Sequence, residues 1–270
     1  MHRALAGAVV TRFEAVYPAL TRVDADAPIA GRTITEVTSV GKHLLVHFSG
    51  DLVLRTHMRM NGSWHLYRPG ERWRRPAHAM RVRIDTAAWT AVGFEVPVAE
   101  FVAAGALERD PSLSRLGPDL LAAGLDLDAV VAHARRRHGV TVADVLLDQG
   151  VGAGLGNVYK SELLFLCGVH PGTPAERVPE STWRRLYDRG AALLRANVVE
   201  PQPGAPVTWR GGRRTTRRDQ AAAALYVYGR QGQACRRCGT RILGEKTGPD
   251  ARLTCWCPRC QPAEDGTALA

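Results

Sequence analysis

The chain has 270 residues, enough for one or two domains with a substantial core. Hydrophobic residues make up 45% and charged residues 23%, which excludes wholesale disorder, and no apolar run reaches the ~18–20 residues of a membrane span. Lys and Arg number 36 against 26 Asp and Glu, a net charge of +10 that favours a polyanionic partner, although a basic enzyme of another kind has the same balance.

Near the N-terminus, residues 33–67 alternate apolar and polar side chains in four runs: Thr33–Val40, His43–Phe48, Leu52–Met58 and Ser63–Tyr67. Turn signals at Gly41, Ser49-Gly50-Asp51 and Asn61-Gly62 separate them. Met80, Val82 and Ile84 share one face with Arg81 and Arg83 between them, and Thr90–Val96 and Ala99–Val102 continue in kind. This half predicts antiparallel β structure, a sandwich or a flattened barrel.

From Pro111 the period changes. Leu127, Val130, Val131 and Ala134 give residues 125–138 a helical face, and the basic run at 135–138 followed by Gly139 suits a helix stop. Thr141 and Asp144 form a capping pair for a second helix through Leu147. A third helix is predicted from Asn157 to Cys167, stopped by Gly168 with Pro171 beyond. A fourth follows Ser181, with Trp183, Leu186, Tyr187, Leu193 and Leu194 as its apolar face. Residues 201–220 are rich in Pro, Gly and Arg and predict a mobile basic loop.

Between the second and third helices runs Asp148-Gln-Gly-Val-Gly-Ala-Gly-Leu-Gly-Asn157, with four glycines in ten residues. Glycines let successive turns bring backbone amides close to a ligand. The helix that follows presents free N–H groups and its positive dipole end to an anion. Gly154, Gly156 and Asn157 are the candidate contacts; close helix packing is the other use of such a turn. A nucleotide-binding loop fits less well, because no Gly-Lys-Ser/Thr is present and the turn follows a helix rather than a strand.

Cys235-Arg-Arg-Cys238 and Cys257-Pro-Arg-Cys260 are two C-x-x-C pairs separated by 18 residues, the pattern of one structural four-thiolate Zn2+ site. Thiolate ligation needs a reducing compartment, and no charged-then-apolar leader opens the chain, so the expected location is the cytoplasm. Cys255 is a competing ligand, but its C-x-C spacing with Cys257 makes a poorer knuckle, and it is expected free beside the site. Cys167 is expected in a core. Arg230, Arg236, Arg237, Arg241, Arg252 and Arg259 suit a hairpin pressed on phosphates; a knuckle serving only stability or protein contact is the alternative. Only Lys42, Lys160 and Lys246 are lysines. Lys, unlike Arg, can be tuned to release its proton, which marks Lys42 and Lys160 as candidates for chemistry.

Four stretches carry a family resemblance. Leu146 to Glu162, with Asp148-Gln149-Gly-Val-Gly-Ala-Gly154-Leu-Gly156-Asn157-Val-Tyr159-Lys160, resembles the helix–two-turn–helix element of the formamidopyrimidine-DNA glycosylase and endonuclease VIII family. Tyr226-Val-Tyr228-Gly229-Arg230 through Cys238 resembles the approach to that family's zinc-finger hairpin. Gly41-Lys42-His43-Leu44-Leu45 and Thr56-His57-Met58-Arg59-Met60-Asn61-Gly62-Ser63-Trp64 resemble two segments of its β domain. The details are most similar to the actinobacterial endonuclease VIII-like branch.

The resemblance implies a two-lobed α+β fold. Its parts would be an antiparallel β-sandwich over 1–108, a helix–two-turn–helix domain over 109–224, a zinc-finger β-hairpin over 225–262 and a tail over 263–270. It implies base-excision repair of damaged DNA, duplex or partly single-stranded, by a monomer: the damaged base is flipped out, its glycosidic bond cut, and the strand nicked by β,δ-elimination. Oxidised pyrimidines are the substrates this branch suggests, with oxidised purines an alternative. Arg59, Met60 and Asn61 match the residues that fill the gap in the stack, Met60 being the long apolar wedge. Asn157 matches a phosphate ligand, Arg252 the zinc-hairpin arginine that reaches the lesion's phosphates, and Lys42 a β-domain lysine needed for catalysis.

The family's nucleophile is an N-terminal proline followed by a glutamate; the amine attacks C1′ of the sugar to form a Schiff base and the glutamate handles protons. This chain opens Met1-His2-Arg3-Ala4-Leu5-Ala6-Gly7, without that pair. His2–Ala6 resembles the last turn of the family's first helix, with Gly7 as its cap, and one turn alone is below a stable length. The expectation is a start codon assigned roughly 10–15 residues too late, with a shortened, non-catalytic DNA binder as the alternative. The polypeptide beginning at Met1 is therefore expected to bind abasic-site DNA without being trapped covalently by borohydride, and a longer form restoring Pro-Glu is expected to nick. Efficient trapping of the 270-residue form contradicts this; an inert longer form favours the binder.

Overall fold

The computed structural model describes residues 1–40, 43–59, 62–107, 109–110, 114–198, 214–216 and 224–263. They form two compact units, Met1–Ser114 and the described residues from Arg115 onward.

In the first unit, eight strands form two antiparallel four-stranded sheets. β1 (Val10–Ala15), β6 (Met80–Thr86), β7 (Thr90–Phe94) and β5 (Ser63–Tyr67) pair in that order. The second sheet is β2 (Ile34–Val40), β3 (His43–Phe48), β4 (Leu52–His57) and β8 (Val98–Ala103). Alternation turns Phe13, Val82, Ile84 and Ala91 from one sheet and Ile34, Val37, Val46, Phe48 and Leu54 from the other into a single core. That is the sandwich the period-two pattern predicted. β1 and the helix α2 (Pro18–Asp26) were not anticipated; only Val10 and Phe13 of β1 are buried, too short a pattern to separate from a loop.

α1 (His2–Leu5) is one turn, and tertiary contacts replace the length it lacks. Leu5 is fully buried in the sandwich core, and His2 Nδ1 accepts the Val37 N–H at 3.2 Å. The cap differs from expectation. Ala6, in an extended conformation, ends the helix, while Gly7 at φ +82° donates its N–H to Ile34 O at 2.8 Å and so joins the turn to β2.

The second unit packs α4 (Leu127–Arg135), α5 (Val142–Leu147), α6 (Asn157–Cys167) and α7 (Glu180–Ala196) around a core that includes Val130, Leu146, Leu155, Leu163, Trp183 and Tyr187. In the first unit, α3 (Ala104–Leu107) closes the last strand. α4 is shorter than the predicted 125–138: the Asp126 carboxylate accepts the Ala129 N–H at 2.9 Å and fixes the start, and Arg136 caps the end. α7 begins at Glu180 behind Pro179, not after Ser181, because a proline already supplies the extended residue before the first turn. The capping box of Thr141 and Asp144 on α5 and the left-handed Gly168 (φ +69°) after α6 are as predicted. β9 (Leu243–Thr247) and β10 (Arg252–Trp256) pair antiparallel as the hairpin, with Val227, Ile242 and Phe165 in a core shared with the cysteines.

Candidate functional site

The glycine-rich turn is held from within. Gln149 donates its amide to Leu147 O at 2.9 Å and Leu155 O at 3.0 Å, and accepts the Gly154 N–H at 3.2 Å. Asp148 accepts the Gly150 N–H at 2.8 Å and pairs with Arg137 at 2.8 Å. Gly154 sits at φ +121°, a conformation that an L side chain rarely adopts. The outcome is that α6 starts abruptly at Asn157, behind the extended Gly156. Its first-turn N–H groups are those a helix leaves without intrahelical acceptors. Asn157 is buried, its Nδ2 reaches Tyr228 Oη at 3.4 Å, and its Oδ1 has no partner among the described residues. Amide oxygen and nitrogen are interchangeable by a half-turn of the group, so this side chain can offer a spare donor or acceptor at the helix start.

Three consecutive buried polar side chains of α6 tie it to the hairpin and its approach. Glu162, fully buried, accepts the N–H groups of Tyr226, Val227 and Tyr228 at 2.8, 2.7 and 2.9 Å, and also the Thr215 hydroxyl. Ser161 Oγ accepts the Cys255 N–H at 3.2 Å. Lys160 donates to Thr254 Oγ1 at 2.6 Å, and Thr254 in turn shares a hydrogen bond with Thr247 at 2.5 Å, spanning the hairpin. The hairpin's turn lies against α5, since a Cβ at Gly248 would meet Asp144 Oδ1 at 2.4 Å.

Cys235, Cys238, Cys257 and Cys260 place their sulfurs within 4.8 Å of one another. Cys238 and Cys257 are 3.4 Å apart, and Cys235 and Cys260 4.0 Å. A tetrahedral ion with Zn–S bonds of about 2.3 Å requires sulfurs about 3.8 Å apart, so the set fits a four-thiolate metal. Hydrogen bonds from the Thr240 side chain and backbone lower the Cys238 thiol to about 6, whereas burial and neighbouring sulfurs raise Cys257 and Cys260. A divalent cation is the charge that would let all four ionise together. Cys255 is buried and stands outside the cluster, and Cys167 is half-buried against the helical core, both as expected.

Among the other predicted site residues, Lys42, Met60 and Asn61 lie outside the described residues, as does most of the 201–220 segment. Arg59 is exposed, at φ +46°, with its N–H on His57 Nδ1 at 3.1 Å. Arg252 opens β10, exposed and paired with Asp250 at 2.9 Å. Within the second unit the structure therefore brings Asn157, Lys160 and the hairpin together through α6. Sequence reasoning missed the roles of Gln149 and Glu162, although both stand in the quoted motif, and left the face of Lys160 open. It also missed a cluster at the start of β3 and the end of β4. There His43 and His57 meet edge to face at 4.7 Å, and Arg55 bridges Glu100 at 2.6 Å and Asp110. Burial, then the Arg55 charge, lowers the His43 pKa and keeps that imidazole neutral at pH 7.

The chain is similar to known proteins along nearly its whole length. A model of the formamidopyrimidine-DNA glycosylase N-terminal domain matches residues 1–96, one of the H2TH domain of that glycosylase residues 116–205, and one of a zinc finger found in FPG and IleRS residues 232–263. A protein of Streptomyces coelicolor named a probable endonuclease 8 2 is 40% identical over 264 residues, 97% of this chain and 89% of that one. A DNA-(apurinic or apyrimidinic site) lyase of Mycolicibacterium smegmatis is 33% identical over 263 residues, 97% and 94% of the two chains. The Lactococcus lactis formamidopyrimidine-DNA glycosylase, solved with DNA containing an abasic site, shares the fold with a TM-score of 0.76 at 24% identity, over 97% of this chain and 95% of that one.

Lys160 gives the second unit a pH dependence of its own. Burial lowers its pKa from 10.5 to about 8, opposed by Asp144 and Cys255 and reinforced by Arg252. The unfolded chain therefore holds the proton more tightly, and the penalty for a buried charge is complete below pH 8 and fades between pH 8 and 10.5. Relative to Lys160→Met, the wild type should gain roughly 2–3 kcal/mol of stability between pH 7.5 and 10.5 in denaturant titrations. Parallel pH profiles for the two proteins contradict this.

Proposed function

The chain belongs to the formamidopyrimidine-DNA glycosylase and endonuclease VIII family, and on that premise we propose that it is a base-excision-repair DNA glycosylase with abasic-site lyase activity. Oxidised pyrimidines are its first substrates, and the strand is nicked by β,δ-elimination. The observation that supports this most is the pairing, in one compact unit, of a glycine-opened helix start with a four-thiolate hairpin that carries Arg252.

Each element has a physical task. The first turn of α6 and the Asn157 amide hold a backbone phosphate by N–H donation and the helix dipole. Arg252, free to exchange Asp250 for a stronger anion, takes another phosphate next to the lesion. Cys235, Cys238, Cys257 and Cys260 hold one structural zinc, which crosslinks a hairpin too small to fold on a core of its own. Arg59, Met60 and Asn61 occupy the space left by the extruded base, offsetting the few kcal/mol that unstacking costs. Lys42 contacts the phosphate beside the lesion or polarises the sugar. The chemical step, attack of an N-terminal proline amine on C1′ with displacement of the base and then elimination from the resulting Schiff base, belongs to the form of the protein that carries the Pro-Glu pair. The protein acts as a monomer in the cytoplasm, at the nucleoid when bound.

Arg252→Ala should weaken binding to abasic-site duplex about tenfold and flatten the dependence of log K on log salt by about 0.9, the loss of one neutralised phosphate. Cys257→Ser should release zinc and remove the same contact. Both are read by fluorescence anisotropy across a salt series. Lesion binding that survives zinc loss unchanged contradicts a role for the hairpin as a contact surface.

A further inference from the structure

The loop between β5 and β6 has no part in the site described above, yet it forms a recess lined by three arginines. Glu71, Arg72, Trp73, Arg74 and Arg75 line a recess of about 690 Å³. Trp73 is half-buried: its ring meets Phe94 edge-on at 5.6 Å and lies 5.6 Å from the Arg83 guanidinium. Arg72 and Arg74 flank it, both exposed and both without an acidic partner among the described residues. Trp73, between the two in sequence, anchors the loop on Phe94.

The loop's backbone is also pinned. The buried Tyr67 hydroxyl accepts the Arg74 N–H at 3.1 Å and meets His65 Nδ1 at 2.9 Å, and His65 Nε2 meets Ser63 Oγ at 3.0 Å. A neutral His65 protonated on Nε2 satisfies every bond in this chain. Burial and the charges of Arg75 and Arg74 lower the His65 pKa and hold it in that state. At the other end, Glu71 accepts the Arg68 N–H at 2.9 Å, and the Arg68 guanidinium stacks 3.9 Å over Trp89. Glu71 therefore serves the turn and Glu95 pairs with Arg75, while Arg72 and Arg74 are left to solvent.

We propose that this loop is a second nucleic-acid contact, in which Arg72 and Arg74 bind consecutive phosphates of a DNA strand outside the lesion. Exposed guanidinium groups on a pinned backbone, without acidic partners among the described residues, suit phosphate oxygens, and their contribution does not depend on sequence or damage. The inference rests on the DNA-repair reading above and adds a site to it. An acidic protein segment is the competing partner for the same charges.

The test is the salt dependence of binding, for wild type and for Arg72→Ala/Arg74→Ala, on abasic and undamaged duplexes of equal length. The double variant should lose about 1.8 from the slope of log K against log salt, two phosphates' worth, on both duplexes alike, leaving the abasic preference intact. Arg72→Lys/Arg74→Lys should restore most of the slope, which separates lost charge from a damaged fold. An unchanged slope overturns the loop's role while leaving the repair function standing. So does loss of poly-glutamate binding in the double variant with the DNA slope unchanged, which assigns the loop to an acidic protein. A wild type that shows no preference for abasic DNA overturns the repair reading, while the slope still decides the loop's role on either duplex.

Discussion

The Glu162 carboxylate is the interaction on which the second unit depends. A buried carboxylate is costly unless its lone pairs are filled, and here three successive N–H groups, of Tyr226, Val227 and Tyr228, together with the Thr215 hydroxyl fill them. Three consecutive amides converging on one anion fix the path of the chain just before the first zinc-type knuckle. Because Glu162 lies on the helix whose start is Asn157, the position of the hairpin follows from that of the helix. Ser161 and Lys160 repeat the tie on β10, at Cys255 and Thr254.

This arrangement explains how a cysteine knuckle and a glycine turn, far apart in sequence, are held together in one unit. The glycine turn exposes the start of α6, and the polar row from Lys160 to Glu162 carries that placement to the hairpin and Arg252. A zinc ion would secure the hairpin internally, and the cysteines also pack against Phe165 of α6. To that apolar contact the buried hydrogen bonds add direction, because a misplaced partner leaves a charge or donor unsatisfied. In the first unit the logic is apolar. Two sheets share a core, and the loop of Arg72–Arg75 is fixed by the Tyr67 hydroxyl together with the packing of Trp73 on Phe94.

Much of this was legible in the sequence, for reasons that differ by element. Strands β2 to β8 follow from apolar-rich runs, several of them alternating, set between turn signals, α5 from its capping box, the end of α6 from Gly168, and the four-thiolate cluster from its spacing. These are local rules with few competing outcomes. β1 and α2 were not legible, because two buried side chains in β1 and a helix with one buried leucine give no period to read. α1 was legible as a turn, yet its stability was not, since it comes from Leu5 and the His2–Val37 hydrogen bond, partners more than thirty residues apart. The function of Glu162 was hidden for the same reason: a carboxylate in an apolar helix reads as exposed until its acceptors' partners, 64 to 66 residues on, are known. Arg55 with Glu100 and Asp110 belongs to the same class of long-range polar pairing.

The most direct measurement is amide hydrogen exchange on Glu162→Gln, paired with abasic-DNA affinity. An uncharged amide keeps the shape but gives up the charge-assisted bonds, each of which contributes about 1.5–3 kcal/mol. If the carboxylate sets the hairpin's path, exchange at Tyr226, Val227 and Tyr228 should quicken at least tenfold and affinity for abasic-site duplex should fall with it, zinc remaining bound. Unchanged protection at those three amides, or faster exchange with affinity intact, would contradict the account.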